Sequence, residues 1–312
     1  MAKEQFKTMI GGQALIEGIL MRGPKKQAIV VRSKDGLVTK VEELKTSKDK
    51  NPVFGLPLIR GIVNFGSSMY NGVKALMFSA EYFPDEEENA EPSKLERWFE
   101  KHFGAAALEK AVITFSVVLG MAFSVLLFIF LPGLIADLLK GVIQNLILRN
   151  IAEGILRICI FLGYLIGVSR LKDMKRVFAY HGAEHKTIRC YEAKLPLTVE
   201  NVREQTRLHP RCGTSFLFLV VMISILCFAL IRTENTLLRL GLRLLLLPVV
   251  VGVSYEVTRF VGRHDGRCTR ILTAPGLWLQ KFTTQEPDDS MIEVAIEAVK
   301  CVLPEEEGQD AW

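Results

Sequence analysis

Two of the five histidines in this 312-residue chain stand four apart in His181-Gly182-Ala183-Glu184-His185, an H-x-x-E-H string. On a helix that spacing puts both imidazoles on one face, where they can grip one divalent metal ion with Glu184 beside it. The same string, H-E-x-x-H reversed, marks the inverzincin metallopeptidases, whose glutamate activates water at the metal. The bland alternative for so short a pattern is a structural or merely exposed histidine pair.

Further ligands must come from other segments. On the helix expected over 171–193, Glu184 has no opposite charge four residues away in either direction, where Tyr180 and Ile188 stand. Glu192 shares the histidine face but lies seven residues past His185, roughly 10 Å along the axis, which makes it a weak third ligand. His209-Pro210-Arg211-Cys212 offers an imidazole and a thiolate at H-x-x-C spacing. His264 and Asp265 offer another imidazole and a carboxylate, as further ligands or as supports behind the ligands. With His181, His185, His209 and Cys212 all bound, zinc would be tetrahedrally closed and structural. With three protein ligands and an open position, Glu184 could serve as general base in a hydrolase. A third reading has the imidazoles bonding headgroup phosphates or backbone carbonyls.

The elements that position these residues are apolar. The chain is 49% hydrophobic, and four stretches have the length and character of transmembrane helices: 111–131, 151–169, 214–231 and 240–257. The first has no charge and ends at Pro132 and Gly133; the second carries Glu153 and Arg157 near its start, where they could snorkel or face protein; the fourth carries Arg243, Pro248 and Glu256. Residues 134–148, apolar but interrupted by Asp137, Lys140 and Gln144, read as an interfacial helix. The connection 170–212 holds ten of the 39 Lys and Arg residues, while the two opposite connections hold two each. The positive-inside rule therefore puts both termini and the H-x-x-E-H helix on the cytoplasmic side of the plasma membrane. Because the basicity has that topological explanation, the net charge of +5 gives no support for nucleic acid binding.

The expected organisation follows from these spans. Residues 1–50 form a β-rich cytoplasmic unit, with strands over 27–32 and 37–44 joined through Asp35-Gly36. Residues 51–110 hold amphipathic helices and an acidic linker at 85–91, with a helix over 93–108 leading to the membrane. Segments 111–169 and 214–257 are transmembrane pairs around the loop 170–213, and 258–312 is a cytoplasmic segment. Within it a helix starts after Pro287-Asp288-Asp289-Ser290, and 305–312 reads as a disordered tail. The glycines of 11–23 allow close backbone approach, and Glu17 with Arg22 could pair; a simple strand and turn is the plainer reading. Tyr255, Glu256 and Arg259 read as anchors at the end of a helix bundle. No secretory signal is evident, and the six cysteines form no C-x-x-C pair, so no disulfide framework is expected.

At G-G-Q-A-L-I-E-G-I-L-M-R-G-P from Gly11, P-L-I-R-G-I-V from Pro57, H-G-A-E-H-K from His181, H-P-R-C-G-T-S from His209 and P-G-L-W-L-Q-K-F-T-T-Q-E-P-D-D from Pro275, the chain resembles the YqhQ family. Those bacterial membrane proteins have no known function and are often described as predicted metal-dependent enzymes. The resemblance implies a multi-spanning membrane protein with cytoplasmic polar segments and adds weight to metal binding; it supplies no substrate or reaction. The expectation is thus an α-helical integral membrane protein of about four spans with a small β-containing cytoplasmic unit. Its partner is the lipid bilayer, and its site holds a divalent metal, with zinc favoured. The competing reading is a non-enzymatic scaffold or partner-binding protein with a zinc clip; a transporter is disfavoured because no pair of broken helices suggests an inverted repeat.

Overall fold

The computed structural model describes residues 6–44, 51–83, 102, 104–233, 235–264, 266–306 and 308–311. The acidic linker at 85–91, the start of the helix expected over 93–108, and Asp265 lie outside them. The chain forms two compact units, one of residues Met1–Phe83, Tyr164–Cys227 and Leu246–Trp312, the other of Pro84–Gly163 and Phe228–Leu245.

The first unit is built on an antiparallel meander of β1 (Gly11–Leu15), β2 (Gly18–Arg22), β3 (Lys26–Ser33) and β4 (Gly36–Glu43), in that order. Alternate residues of a strand face opposite sides, and β3 is apolar on both. Ala28 and Val30 join a core with the helices α5 (Lys172–Glu192) and α10 (Asp289–Lys300). Ile29 and Val31 pack on the other side against Ala75 and Phe78 of α1 (Ile59–Ala80). The turn between β1 and β2 holds Glu17 at φ 49°, a left-handed conformation that costs a non-glycine residue energy. An ion pair with Arg176 and a 3.2 Å bond from the Tyr180 hydroxyl hold the Glu17 carboxylate there. Glu17 therefore does not pair with Arg22, which donates to Ser68 Oγ at 3.1 Å instead.

The C-terminal residues are not a loose tail. Thr8 and Ala311 form a β-bridge, the Met9 N–H donates to Asp310 O at 2.6 Å, and Asp310 is buried. Backbone bonding to Thr8 and Met9, ahead of the first strand, outweighs the polar composition from which disorder is expected.

Residues 105–141 form a nearly continuous helix: α2 (Ala105–Val125), a π-turn (Leu126–Phe130), α3 (Leu131–Leu138) and a 3-10 turn (Leu139–Gly141). Pro132 does not end the first apolar helix as the sequence suggests. The π-turn lets the Leu131 N–H bond to Leu126 O, five residues back, so the helix is rewound just before the residue that has no N–H to give. Residues 134–141 hence extend that helix rather than forming a separate interfacial one.

Among the described residues three helices are long and apolar enough to cross a membrane: Ala111–Gly141, Ile147–Val168 within α4 (Leu146–Val168), and Thr236–Arg263, which is α8. The expected span at 214–231 is α7 (Gly213–Ala229), apolar but only 17 residues long. That is the low end of the lengths that span a bilayer core, and the helix ends two residues before the expected span does, ahead of a polar run at 232–235. Pro248 lies inside α8. α6 (Val199–Arg203) is a short connector, and α9 (Arg267–Thr283) precedes α10.

The charges of α4 do not snorkel; they are buried within the second unit. Glu153 accepts from Arg157 at 2.9 Å and from Arg243 of α8 at 2.7 Å, and all three side chains are at most 5% exposed. Both guanidiniums lie over the Phe228 ring, at 4.9 and 5.7 Å.

Candidate metal centre

The helix that carries H-x-x-E-H is polar in sequence yet enclosed on most sides. Its first turns, with Lys172, Lys175 and Arg176, are exposed or half-buried, whereas Gly182 to Ile188 are buried. Burying such a run is costly unless each polar group has a partner, and the partners define the site.

His181 and His185 lie one turn apart, their rings meeting edge to face with centroids 4.4 Å apart. His181 Nδ1 lies 2.8 Å from Thr283 O, and His185 Nδ1 lies 2.6 Å from Arg207 O. A carbonyl can only accept, so each Nδ1 carries the proton and donates. In the neutral rings this leaves Nε2 as the lone-pair nitrogen. His181 Nε2 lies 3.0 Å from Cys212 Sγ. One donor atom from each of His181, His185 and Cys212 falls within 4.8 Å of the others, so the three could hold a metal ion. Imidazoles oriented by backbone carbonyls through the far nitrogen are the usual support behind metal-bound histidine.

Two neighbouring segments hold this arrangement. The Gln280 side chain, fully buried on α9, accepts the His209 N–H at 2.8 Å and donates to His209 O at 2.7 Å, fixing the strand of chain that leads to Cys212. The segment after α9 crosses α5 at Gly182, and the Gln285 N–H donates to Phe178 O at 2.8 Å. A Cβ on Gly182 would overlap Gln285 O. Gly182→Ala is therefore expected to destabilise the first unit by roughly 1–3 kcal/mol, as overpacking against backbone does. A thermal melt of the purified variant checks this, and an unchanged midpoint would refute the close crossing.

Glu184 points to the sheet. Its Oε1 accepts the Gly12 N–H of β1 at 2.9 Å, and a Cβ on Gly12 would come within 3.2 Å of the carboxylate carbon and 2.6 Å of Leu20 O. Burial pushes the Glu184 carboxyl up, while His185, His181 and the Gly12 N–H pull it back. Burial alone would also push the Cys212 thiol up, but the imidazoles of His181 and His185 hold it well below the ordinary thiol range. Burial lowers His181, yet Cys212, by charge and hydrogen bond, carries it up to about 9. Without metal, these shifts describe a thiolate beside an imidazolium.

His209 is beside the trio but not in it. Its ring centroid is 5.6 Å from that of His185, while its Nε2 faces Glu192 Oε2 at 3.4 Å. Burial takes His209 down to about 4 despite Glu192, so its ring is neutral. Glu192 also pairs with Arg211 and accepts the Thr8 N–H at 3.0 Å, contacts that lie away from His181 and His185. His264 bonds Phe260 O at 3.0 Å, stacks on the Phe260 ring and is outside the grouped donors. Sequence reasoning singled out the glycines near residue 11 and the segment from Pro275 without joining either to the histidines; their density of glycine and glutamine was the available signal.

The donor set opens on a cleft of about 1070 Å³ in the first unit, whose walls include Gly12, Gln13, Glu184, Arg22, Arg60 and Arg259. A family model described as "Protein of unknown function (DUF1385)" matches residues 56–305. The "Uncharacterized protein YqhQ" of Bacillus subtilis (strain 168) is 36% identical over 312 residues, covering 97% of this chain and 95% of that protein. The chain belongs to the DUF1385, or YqhQ, family. No solved structure matches it. The residues matched by the DUF1385 model contain His181, Glu184, His185 and Cys212 but not β1, so Gly12 contacts the site from outside that range. The comparison with the Bacillus protein spans the N-terminal sheet as well.

Proposed function

We propose that the chain is a membrane-embedded, metal-dependent hydrolase with His181, His185 and Cys212 as ligands and Glu184 as general base. The observation that carries this reading is the carbonyl bond on each histidine Nδ1, which leaves both Nε2 atoms for the same centre as the Cys212 sulfur. A divalent ion held there, with zinc suited to a two-nitrogen, one-sulfur set, would supply Lewis acidity at a position three protein ligands leave open. The chain's own residues do the rest. Glu184, anchored by the Gly12 N–H and raised by burial, takes a proton from the attacking water and returns it to the leaving group. The polar connection 170–212, with its ten Lys and Arg, supports placing the cleft and both termini at the cytoplasmic face.

Two alternatives divide on specific contacts. A closed structural zinc clip needs His209 as fourth ligand, and its engagement with Glu192 weighs against that. The 3.0 Å approach of His181 to Cys212 supports a metal-free thiolate nucleophile. Glu184→Gln separates them. The hydrolase reading expects this variant to keep one metal per chain and lose about 10²–10⁴-fold of its function, read by metal analysis of purified protein and by complementation of a deletion strain. Full function with metal retained would favour the clip, and wild-type protein without stoichiometric metal would favour the thiolate.

A further inference from the structure

We infer that the cleft beside the histidine–cysteine trio binds a phosphate group, held by Arg22 and Arg259. The inference rests on the hydrolase reading in that it names the substrate class of the same site. Four arginines line the cleft, Arg22, Arg60, Arg211 and Arg259, against one carboxylate, Glu184. Two of the four are matched within the protein: Arg60 forks Glu256, and Arg211 pairs with Glu192. Neither Arg22 nor Arg259 has a carboxylate at ion-pair distance among the described residues; Arg22 is held only by Ser68 Oγ. Glu256 acts on Arg259 only from beyond ion-pair distance, while Arg60 and Arg263 repel it, and half-buried cations without a direct carboxylate partner are stabilised when an anion arrives.

The uncharged groups around them select the kind of anion. Ser68 Oγ accepts from Arg22 at 3.1 Å, Ser67 Oγ from Asn71 at 3.4 Å, and the Tyr255 hydroxyl from Asn64 at 2.9 Å. Each hydroxyl spends a lone pair on its neighbour and keeps its proton to donate. Ser67, Ser68 and Tyr255 all come from elements that line the cleft. Two guanidinium forks and three hydroxyl donors exceed what a carboxylate monoanion can accept. They fit the three terminal oxygens and near-double charge of a phosphate monoester. Phe54, Val63 and Leu217 line the same cleft, so the ester can be carried by a lipid or by a soluble molecule.

The test uses the full chain in maltoside micelles, which contain no phosphate. Inorganic phosphate is titrated by equilibrium dialysis into chelator-treated and metal-loaded protein. The expected result is saturable binding of one phosphate per chain in both forms, weakened about tenfold or more by Arg22→Gln and by Arg259→Gln. Arg22→Lys and Arg259→Lys are expected to recover part of it, since charge returns without the fork. Metal content equal to wild type in these variants verifies that they fold. Displacement by dihexanoyl phosphatidate far better than by glycerol 3-phosphate supports the assignment and names a lipid headgroup; equal displacement supports it and names a soluble ester. Undetectable phosphate binding at about 10 mM, or wild-type binding in the Arg22→Gln/Arg259→Gln variant, overturns it. Arginine-dependent phosphate binding in a wild-type protein that holds no metal would leave this site standing and remove the hydrolase reading; stoichiometric metal without phosphate binding does the reverse.

Discussion

Cys212→Ser is expected to reduce metal affinity by more than the about 10–100-fold typical of losing a residue behind a ligand, and His185→Ala to do the same. Both donors belong to a set whose atoms lie within 4.8 Å, and among the described residues the neighbouring candidates are engaged elsewhere. His209 is engaged by Glu192, and Glu184 by the Gly12 N–H. The effect should be specific to the metal, because Cys212→Ser is a nearly isosteric change at the end of a loop that Gln280 fixes independently through His209. Proton release gives a second reading of the same event. In the metal-free protein His181 stands at about 9, so near pH 7 it carries a proton that a ligating Nε2 must shed. Titrating zinc into chelator-treated protein in buffers of different ionisation enthalpy should therefore show about one proton released per ion. The sign for folding runs with it: a raised histidine stabilises the metal-free fold fully below its ordinary value of 6.5, and that contribution is lost as pH rises through about 9. Unchanged metal content in Cys212→Ser would remove the sulfur from the centre.

Local pattern made part of this legible in the sequence. The i, i+4 histidines, the hairpin at Asp35-Gly36 and the helix start at Asp288 all rest on contacts within a few residues, and each forms. What could not be read depends on partners far along the chain. Glu184 bonds Gly12, 172 positions away, and His181 is oriented by Thr283, 102 away. Spacing made His209 as good a ligand as Cys212; only the packing of Glu192 and Arg211 against it separates the two. Hydropathy windows found the apolar helices but not their limits. Pro132 is absorbed by a π-turn that composition does not announce, and α7 ends at Ala229, two residues before the apolar window does and just ahead of the polar residues from Arg232. Glu153 and Arg157 read as charges that could snorkel or face protein, and the deciding partner, Arg243, comes from another helix.

Glu153→Ala should be the most destabilising single change in the second unit, by about 3–5 kcal/mol. The carboxylate sits between two buried guanidiniums, at 2.9 Å from Arg157 and 2.7 Å from Arg243, and deleting it leaves two like charges facing each other without an anion. Among the described residues no second carboxylate is at ion-pair distance from either. Arg157 Nε already donates to Phe128 O, Arg243 Nε and Nη1 have no hydrogen-bond partner, and the Phe228 ring shared by both cations offers only its face. Glu153→Gln should cost less, because an amide oxygen still accepts from one arginine, but its NH₂ then opposes the other. The penalty belongs to the unpaired charges rather than to the loss of a favourable bridge, so replacing all three together, Glu153→Leu with Arg157→Met and Arg243→Met, should recover most of the stability. Unfolding midpoints of the three proteins in one detergent separate these cases. If Glu153→Ala melts with wild type, the arginines have found water or lipid phosphate in place of the carboxylate, and the cluster is solvated rather than dry.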